Sequence, residues 1–167
     1  MSVQPSIKNV KVGGSMVAKP VNVLSGGIWK PVQNIVAELY LTPRTGSFTT
    51  IGGTVTVMLR ENSLTNPVNS FQANISYSSS VLQFQSSDQT GSLFEVSLQN
   101  TGGSGTIQIS AASFDGNVTG DQLLSTITFT VLTHGTATLA FTTGSGVARA
   151  SDSTNICNQQ LGATFTT

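Results

Sequence analysis

Charge is the scarcest property of this 167-residue sequence. Charged residues make up 8% of it, against about a quarter in ordinary globular domains. The solubility of the chain must therefore rest on Ser, Thr, Asn and Gln, a surface that is common in extracellular and particle-forming β proteins. The length allows one domain of ordinary size and a short extension.

Residue types that carry chemistry are also scarce. Cys157 is the single cysteine, so no disulfide can form within the chain, and we expect it to be a small buried apolar residue. His134 is the single histidine, and its predicted turn suits a surface residue better than a general base. The sequence has no cysteine–histidine cluster for zinc, no Gly-x-Ser-x-Gly motif and no phosphate-binding loop. We therefore expect a protein that is not an enzyme.

Loop acids are the remaining candidates for a cofactor site. Asp115, Asp121 and Asp152 lie in predicted loops. The Asp115 and Asp152 loops offer oxygen ligands for calcium, but not at EF-hand spacing, and Asx turns explain both at least as well. We expect no cofactor, with calcium in one of these two loops as the alternative.

The chain lacks the usual features of membrane, nucleic-acid and flat sugar-binding proteins. Its N-terminus has no basic start and no continuous apolar run, so we expect neither a signal peptide nor a membrane span. Either an export signal is missing from this sequence, or the protein leaves the cytosol by another route. Scattered lysines form no dense basic patch, so we expect no nucleic acid. A platform of exposed aromatics for glycans is doubtful, although binding through polar loops stays open.

The few charges are divided unevenly along the chain. Residues 1–37 contain four lysines and no acid, whereas residues 38–167 contain three arginines and seven acids. One interpretation is chance, and the other is a basic arm that lies on an acidic body, its own or a neighbour's. We predict two parts, an arm (1–37) and a body (38–167).

The arm contains an imperfect repeat of valine-rich stretches, each followed by a glycine pair and then by Lys-Pro-Val. Glycine pairs form tight turns and Val and Ile favour strands, which predicts one or two small hairpins that cannot fold alone. Residues 26–32, Gly-Gly-Ile-Trp-Lys-Pro-Val, resemble a short motif of bacteriophage tail and other virion proteins. The arm is therefore predicted to make an intermolecular contact. The predicted interface residues are Trp29, Ile28, Lys8, Lys11, Lys19 and Lys30.

The body is predicted to be an all-β sandwich. From Phe71 to Tyr77, apolar and polar residues alternate, which indicates a strand with one buried face. The other predicted strands cover 36–41, 53–59, 81–84, 93–98, 106–111, 124–131, 136–141, 146–150 and 161–165, with a turn cluster at 42–47. In the segment 93–98, Phe94, Val96 and Leu98 are expected on one face. The predicted core comprises Phe71, Ile75, Tyr77, Leu82, Phe84, Ile127, Phe129, Leu139 and Phe141.

Four stretches of the body carry a family resemblance. They are Thr-Pro-Arg-Thr-Gly at 42–46, Gln-Ala-Asn-Ile-Ser-Tyr at 72–77 followed by Leu-Gln-Phe at 82–84, Gly-Asp-Gln-Leu-Leu-Ser-Thr-Ile-Thr-Phe at 120–129, and Gly-Thr-Ala-Thr-Leu-Ala-Phe at 135–141. In order and spacing they resemble the cohesin and carbohydrate-binding-module superfamily. The resemblance implies a cohesin-like jelly-roll or Ig-like β-sandwich, here with an N-terminal β-hairpin arm. Function does not follow from such a fold alone.

Two functions stay open. The first is a structural protein of a phage-like particle, a decoration or tail-associated protein whose arm contacts other virion subunits as a homo-oligomer or lattice contact. The arm, its phage-like motif and the lack of catalytic groups favour it. The second is an extracellular adhesion module of the cohesin type, secreted or on a cell surface, which binds a dockerin-like protein, a host-surface protein or a glycan. The resemblance of the body favours this one.

Overall fold

The structure is a computed structural model that describes residues 11–12, 15–16, 22–25, 28–31, 36–48, 50–115 and 117–166. The chain divides into two units, Met1–Asn34 and Ile35–Thr167. Every regular element in the described ranges is a strand, and none of these ranges contains a helix long and apolar enough to cross a membrane.

The N-terminal unit contains two short antiparallel strand pairs. Strand β1 (Lys11–Val12) pairs with β2 (Ser15–Met16), and β3 (Asn22–Ser25) pairs with β4 (Ile28–Pro31). In each pair two residues separate the strands, which is the spacing of a tight hairpin. Both pairs lie where the sequence predicts hairpins.

The second unit is a sandwich of two β-sheets. Its strands are β5 (Ala37–Thr42), β6 (Thr45–Ser47), β7 (Thr54–Asn62), β8 (Val68–Tyr77), β9 (Leu82–Asp88), β10 (Val96–Gly103), β11 (Thr106–Ala112), β12 (Asp121–Val131), β13 (Thr136–Phe141), β14 (Gly146–Arg149), β15 (Cys157–Leu161) and β16 (Ala163–Thr166). One sheet has the order β15-β5-β7-β12-β9. The seven-stranded sheet has the order β10-β11-β8-β13-β16-β6, with β14 pairing with β8 beside β13.

Most neighbouring strands are antiparallel, but two pairs are parallel. Strand β15 runs parallel to β5, and β16 runs parallel to β6. The last two strands of the body thus pair with its first two, so residues far apart in sequence complete both sheets.

The core lies between the two sheets, where alternating residues of each strand point inward. In β8 the inward residues Phe71, Ala73, Ile75 and Tyr77 are buried. The ring of Tyr77 meets the ring of Phe129, from the other sheet, edge to face at a centroid distance of 5.3 Å. Of the remaining predicted core residues, Leu82, Ile127 and Leu139 are buried, and Phe84 and Phe141 are half-buried and pack against the core.

Three local predictions are wrong. The predicted turn at 42–47 contains β6, because these residues pair with β16, more than a hundred positions later. The strand predicted at 93–98 begins only at Val96, and a bulge between Ser97 and Gln99 breaks its alternation. Leu98 is therefore 65% exposed, while Phe94 is buried ahead of the strand. Strand β15 was not predicted, since its polar sequence has no apolar alternation, and its Cys157 is half-buried rather than buried.

Candidate docking face

The outer surface of the seven-stranded sheet is polar and uncharged along its central strands, β8 and β11. Because the apolar residues of β8 and β11 point inward, the intervening residues point outward. The outward residues are Ser70, Gln72, Asn74, Ser76, Thr106, Gln108 and Ser110, none of which carries a charge. We call this surface, together with the outward side of β10 and β14, the docking face.

Hydrogen bonds hold the polar side chains of the docking face in place. Gln99 Nε2 donates to Gln108 Oε1 over 2.8 Å, and Asn74 Nδ2 donates to the carbonyl oxygen of Thr143 over 3.1 Å. The hydroxyl of Ser145 donates to the carbonyl oxygen of Asn74 over 3.0 Å. Side chains that are already fixed lose less conformational entropy when a partner binds.

An exposed leucine interrupts this polar surface. Leu98 is the extra residue of the bulge in β10, and it lines a shallow groove of about 280 Å³ together with Gln72, Ser110 and Ala148. Asn155 forms part of the wall, and its Oδ1 accepts hydrogen bonds from the amides of Val147 and Cys157. The groove thus combines exposed Leu98 and the smaller apolar residue Ala148 with polar groups held by hydrogen bonds.

A second exposed apolar residue lies at the same end of the β10–β11 hairpin. Val96 pairs with Ala112 there, and Leu98 and Phe114 each lie two residues from that pair. Phe114 is 81% exposed, and its amide donates to Glu95 Oε2 over 3.1 Å. Large exposed apolar side chains on a rigid polar surface are typical anchors of protein interfaces.

The outer surface of the five-stranded sheet differs because it carries charges. Tyr40 of β5 donates through its hydroxyl to Asp121 Oδ1 over 2.6 Å, and Arg60 Nε donates to the same oxygen over 3.0 Å. Partial burial works to raise the pKa of Asp121, but the hydrogen bonds from Tyr40 and Arg60 outweigh it and lower that pKa below its usual value. This trio joins three strands and leaves Asp121 as an ion-pair partner rather than a free acid.

The sequence-predicted interface residues all belong to the N-terminal unit. Trp29, Lys30 and Ile28 occupy β4, with Trp29 opposite Leu24, and Lys11 begins β1. Lys8 and Lys19 lie outside the described residues. The predicted interface role of this set stays a prediction.

The loop acids proposed for calcium make other contacts. Asp152 accepts hydrogen bonds from Arg149 Nη1 over 3.1 Å and from the amide of Thr154 over 3.0 Å. The carbonyl oxygen of Asp115 accepts from Asn117 Nδ2 over 3.1 Å. In the part of the chain that the structure describes, no three His, Cys, Asp or Glu residues lie close enough to hold a metal ion.

Two exposed apolar residues, Leu98 of the docking face and Phe114 beyond the end of β11, were missed by sequence reasoning. Leu98 was expected on one face with Phe94 and Val96, but Phe94 is buried whereas Leu98 is exposed. Phe114 belongs to no alternating segment, since it stands between Ser113 and Asp115. An aromatic residue isolated in a polar loop was the signal that could have drawn attention to it.

The described residues form a jelly-roll β-sandwich in which the central strands β8 and β11 of one sheet carry no charged side chain. The family model for the cohesin domain matches residues 45–162, which is more than half of the chain. The chain therefore belongs to the cohesin family. None of the curated proteins compared with the chain is significantly similar to it.

Solved structures of cohesins have the same fold. CaCohA2 from Clostridium acetobutylicum is similar with a TM-score of 0.65 and 20% identity, over 80% of this chain and 92% of that chain. A non-cellulosomal cohesin from the archaeon Archaeoglobus fulgidus gives 0.63 and 20%, over 78% and 90%. A cohesin in a type I cohesin–dockerin complex from Clostridium thermocellum gives 0.64 and 12%, over 78% and 98%. At these identities the likeness concerns the fold.

Proposed function

We propose that this chain is a non-catalytic protein-binding module of the cohesin type, which binds a dockerin-like partner through the docking face. The observation that carries the proposal is the rigid, uncharged surface of β8 and β11 with Leu98 exposed in its groove. Cohesin domains are binding modules of extracellular or cell-surface scaffolds, and we propose the same location here. The Clostridium thermocellum relative was solved with a dockerin, which supports a partner of that class.

The chemistry of the docking face limits what the partner can be. Since its central strands carry no charge, attraction between opposite charges contributes little, and binding should depend weakly on salt. Leu98 supplies an apolar anchor, and Phe114 is a second exposed apolar residue just beyond β11. Gln72, Gln108 and Asn74 offer amide groups for hydrogen bonds. A complementary partner places one or two apolar side chains beside Leu98 and surrounds them with uncharged polar groups.

The virion function that the sequence left open finds no support in the comparisons, which favour the adhesion module. In this proposal the arm is an attachment segment. Its four lysines and Trp29 would join the module to a neighbouring chain.

A binding assay with matched variants tests the proposal. The probes are a panel of purified dockerins, and binding is measured by isothermal titration calorimetry. We expect at least one dockerin to bind, and Leu98→Asp to weaken it by about tenfold or more, because a buried anchor is replaced by an unpaired charge. Leu132→Asp is the control, since Leu132 is also exposed, at 44%, but follows β12 of the other sheet.

Two outcomes contradict the proposal. One is equal weakening by Leu98→Asp and Leu132→Asp, which places the partner elsewhere or indicates a general loss of structure. The other is binding to glycans on an array with no binding to any dockerin, which makes the chain a carbohydrate-binding module.

A further inference from the structure

Glu61 is a buried acid to which the proposed function gives no role. It continues the inward row of β7 after Val57 and Leu59, and it is 0% exposed. Neither of its carboxyl oxygens has a hydrogen-bond partner among the described residues, and the same holds for the hydroxyl of Ser63, which is also 0% exposed. An ionised carboxylate without partners is strongly disfavoured in such a place, because burial removes the water that would solvate it.

No positive charge is directed at Glu61 from the elements packed beside it: Arg149 of β14, which packs against β5, is ion-paired with Asp152 over 3.1 Å. Glu61 lies between Leu39 of β5 and Gln122 of β12. Apart from Glu61, the charged or titratable groups on β5, β7 and β12 are Glu38, Tyr40, Arg60 and Asp121. Strand β15, on the other side of β5, adds Cys157. Arg60 is directed to the outer surface, where it binds Tyr40 and Asp121. Residues 63–67 contain no titratable side chain.

The electrostatics agree with this geometry. Burial raises the pKa of Glu61 to about 8, the nearby Ser63 offsets a part of the rise without completing a hydrogen bond, and the negative charge of Asp121 adds to it. The carboxyl group is thus neutral in the folded protein at neutral pH.

The loop 62–67 closes the end of the sandwich over Glu61. The amide of Ser63 donates to the carbonyl oxygen of Gly120 over 3.1 Å, and the amide of Gly120 donates to the carbonyl oxygen of Leu64 over 2.8 Å. Asn66 Nδ2 donates to the carbonyl oxygens of Val36 and Ser63. Leu64 has a positive φ of 55°, a conformation that non-glycine residues adopt at an energetic disadvantage.

The same loop reaches the docking face. It leads directly into β8, the central strand of that face, and the amide of Ala150 donates to the carbonyl oxygen of Pro67 over 2.9 Å. Ala150 follows β14, whose Gly146 and Ala148 line the groove. A change at Glu61 therefore has a short covalent and hydrogen-bonded path to β8 and β14.

We propose that Glu61 and the loop 62–67 form a pH-sensitive latch at this end of the sandwich. While the carboxyl group is neutral, the loop stays closed over it. When Glu61 loses its proton, the carboxylate requires water, and the loop opens by breaking the Ser63–Gly120 and Leu64–Gly120 hydrogen bonds. The latch is a property of the body and does not depend on any partner.

Amide hydrogen exchange on the full chain tests the latch directly. Exchange of the amides of Ser63, Asn66 and Gly120 measures opening of the loop. The amide of Leu132, which donates to the carbonyl oxygen of Val81, is a reference hydrogen bond away from the loop. After correction for intrinsic exchange, we expect protection of the loop amides to fall by up to about tenfold for each pH unit between about 4.5 and about 8, where opening releases one proton, and to level off above about 8. Protection of Leu132 should stay constant.

Two variants and one direct measurement separate the latch from a general loss of stability. Glu61→Gln mimics the neutral acid and should abolish the pH dependence of the loop amides. Glu38→Gln removes a negative charge from the neighbouring strand and should behave as the wild type. The side-chain carboxyl carbon of Glu61 in the wild type should titrate near 8. Titration near the usual value of 4.5, or an unchanged pH dependence in Glu61→Gln, overturns the proposal.

Discussion

Gly102 of β10 lies directly against the ring of Phe84 of β9. A Cβ atom at position 102 would come within 2.7 Å of Phe84 Cζ, closer than real contacts allow. Beside this pair, Ser87 of β9 and Asn100 of β10 are hydrogen-bonded side chain to side chain. Because β9 and β10 belong to different sheets, the Gly102–Phe84 contact joins the two sheets along one side of the sandwich.

The first prediction follows from this contact. Gly102→Ala should lower the free energy of unfolding by about 1–3 kcal/mol, because the ring of Phe84 must shift in a packed environment. Urea denaturation of the variant and the wild type measures the loss. The double variant Gly102→Ala with Phe84→Leu should recover a part of it, and equal stability of Gly102→Ala and the wild type would show that the ring has room to move.

The second prediction concerns the aromatic pair at the centre of the core. Tyr77→Ala and Phe129→Ala should each lower the free energy of unfolding by about 3–5 kcal/mol, as large truncations at buried sites do. Because the rings are in contact, the double variant should lose less than the sum, by about 0.5–1.5 kcal/mol. A strictly additive double variant in the same melts would mean that the two rings are energetically independent.

The third prediction is the dependence of stability on pH. The folded state holds the proton of Glu61 up to about pH 8, whereas an unfolded chain releases it near 4.5. The stabilising contribution of Glu61 is thus fully present below pH 4.5 and declines as the pH rises towards about 8. The decline is at most about 1.4 kcal/mol per pH unit.

Glu61→Gln should remove this decline. We expect the variant to match the wild type near pH 4 and to exceed its free energy of unfolding by about 2–3 kcal/mol at pH 7, as measured by urea denaturation across this range. Parallel pH profiles for the two proteins would contradict the burial of an unpaired acid. Glu95→Gln serves as the control, since Glu95 accepts a hydrogen bond from Phe114 in an exposed loop.

The fourth prediction separates the arm from the body. A fragment of residues 35–167 should remain folded and all-β, because the core is built from body residues, and circular dichroism and size-exclusion chromatography check this. The fragment should bind the same dockerins as the full chain. Trp29→Ala should instead reduce self-association or attachment of the full chain, and attachment that persists without residues 1–34 would remove the assembly role of the arm.

The architecture of the sandwich could be predicted from local patterns, but its edges could not. Alternation in β8 identifies the buried face through Phe71 and Tyr77 because the period of a strand is visible in seven residues. Strand β6 has only three exposed residues, and β15 is polar, so both exist through parallel pairing with distant partners. Pairing of that kind leaves no local mark in the sequence.

The candidate site was harder to predict because it depends on departures from the pattern. Leu98 is the extra residue of a bulge in β10, and no propensity distinguishes a bulged strand from a regular one here. Glu61 follows Arg60, and two adjacent charges indicate the end of a strand rather than a buried position. The burial of Glu61 depends on the two strands that flank β7, namely β5 and β12, and their pairing cannot be inferred from the local sequence.

The parallel pairing of the last strands with the first has a mechanical consequence. If tension is applied to the two ends of the body, β5 is pulled from its first residue and β16 from its last, in opposite directions. The hydrogen bonds of the β15–β5 and β16–β6 pairs are then loaded together in shear, instead of opening one after another. This geometry makes a binding module resist rupture when force acts along its chain. Stretching the body from Val36 to Thr166 should therefore require more force than peeling apart a hairpin such as β10–β11.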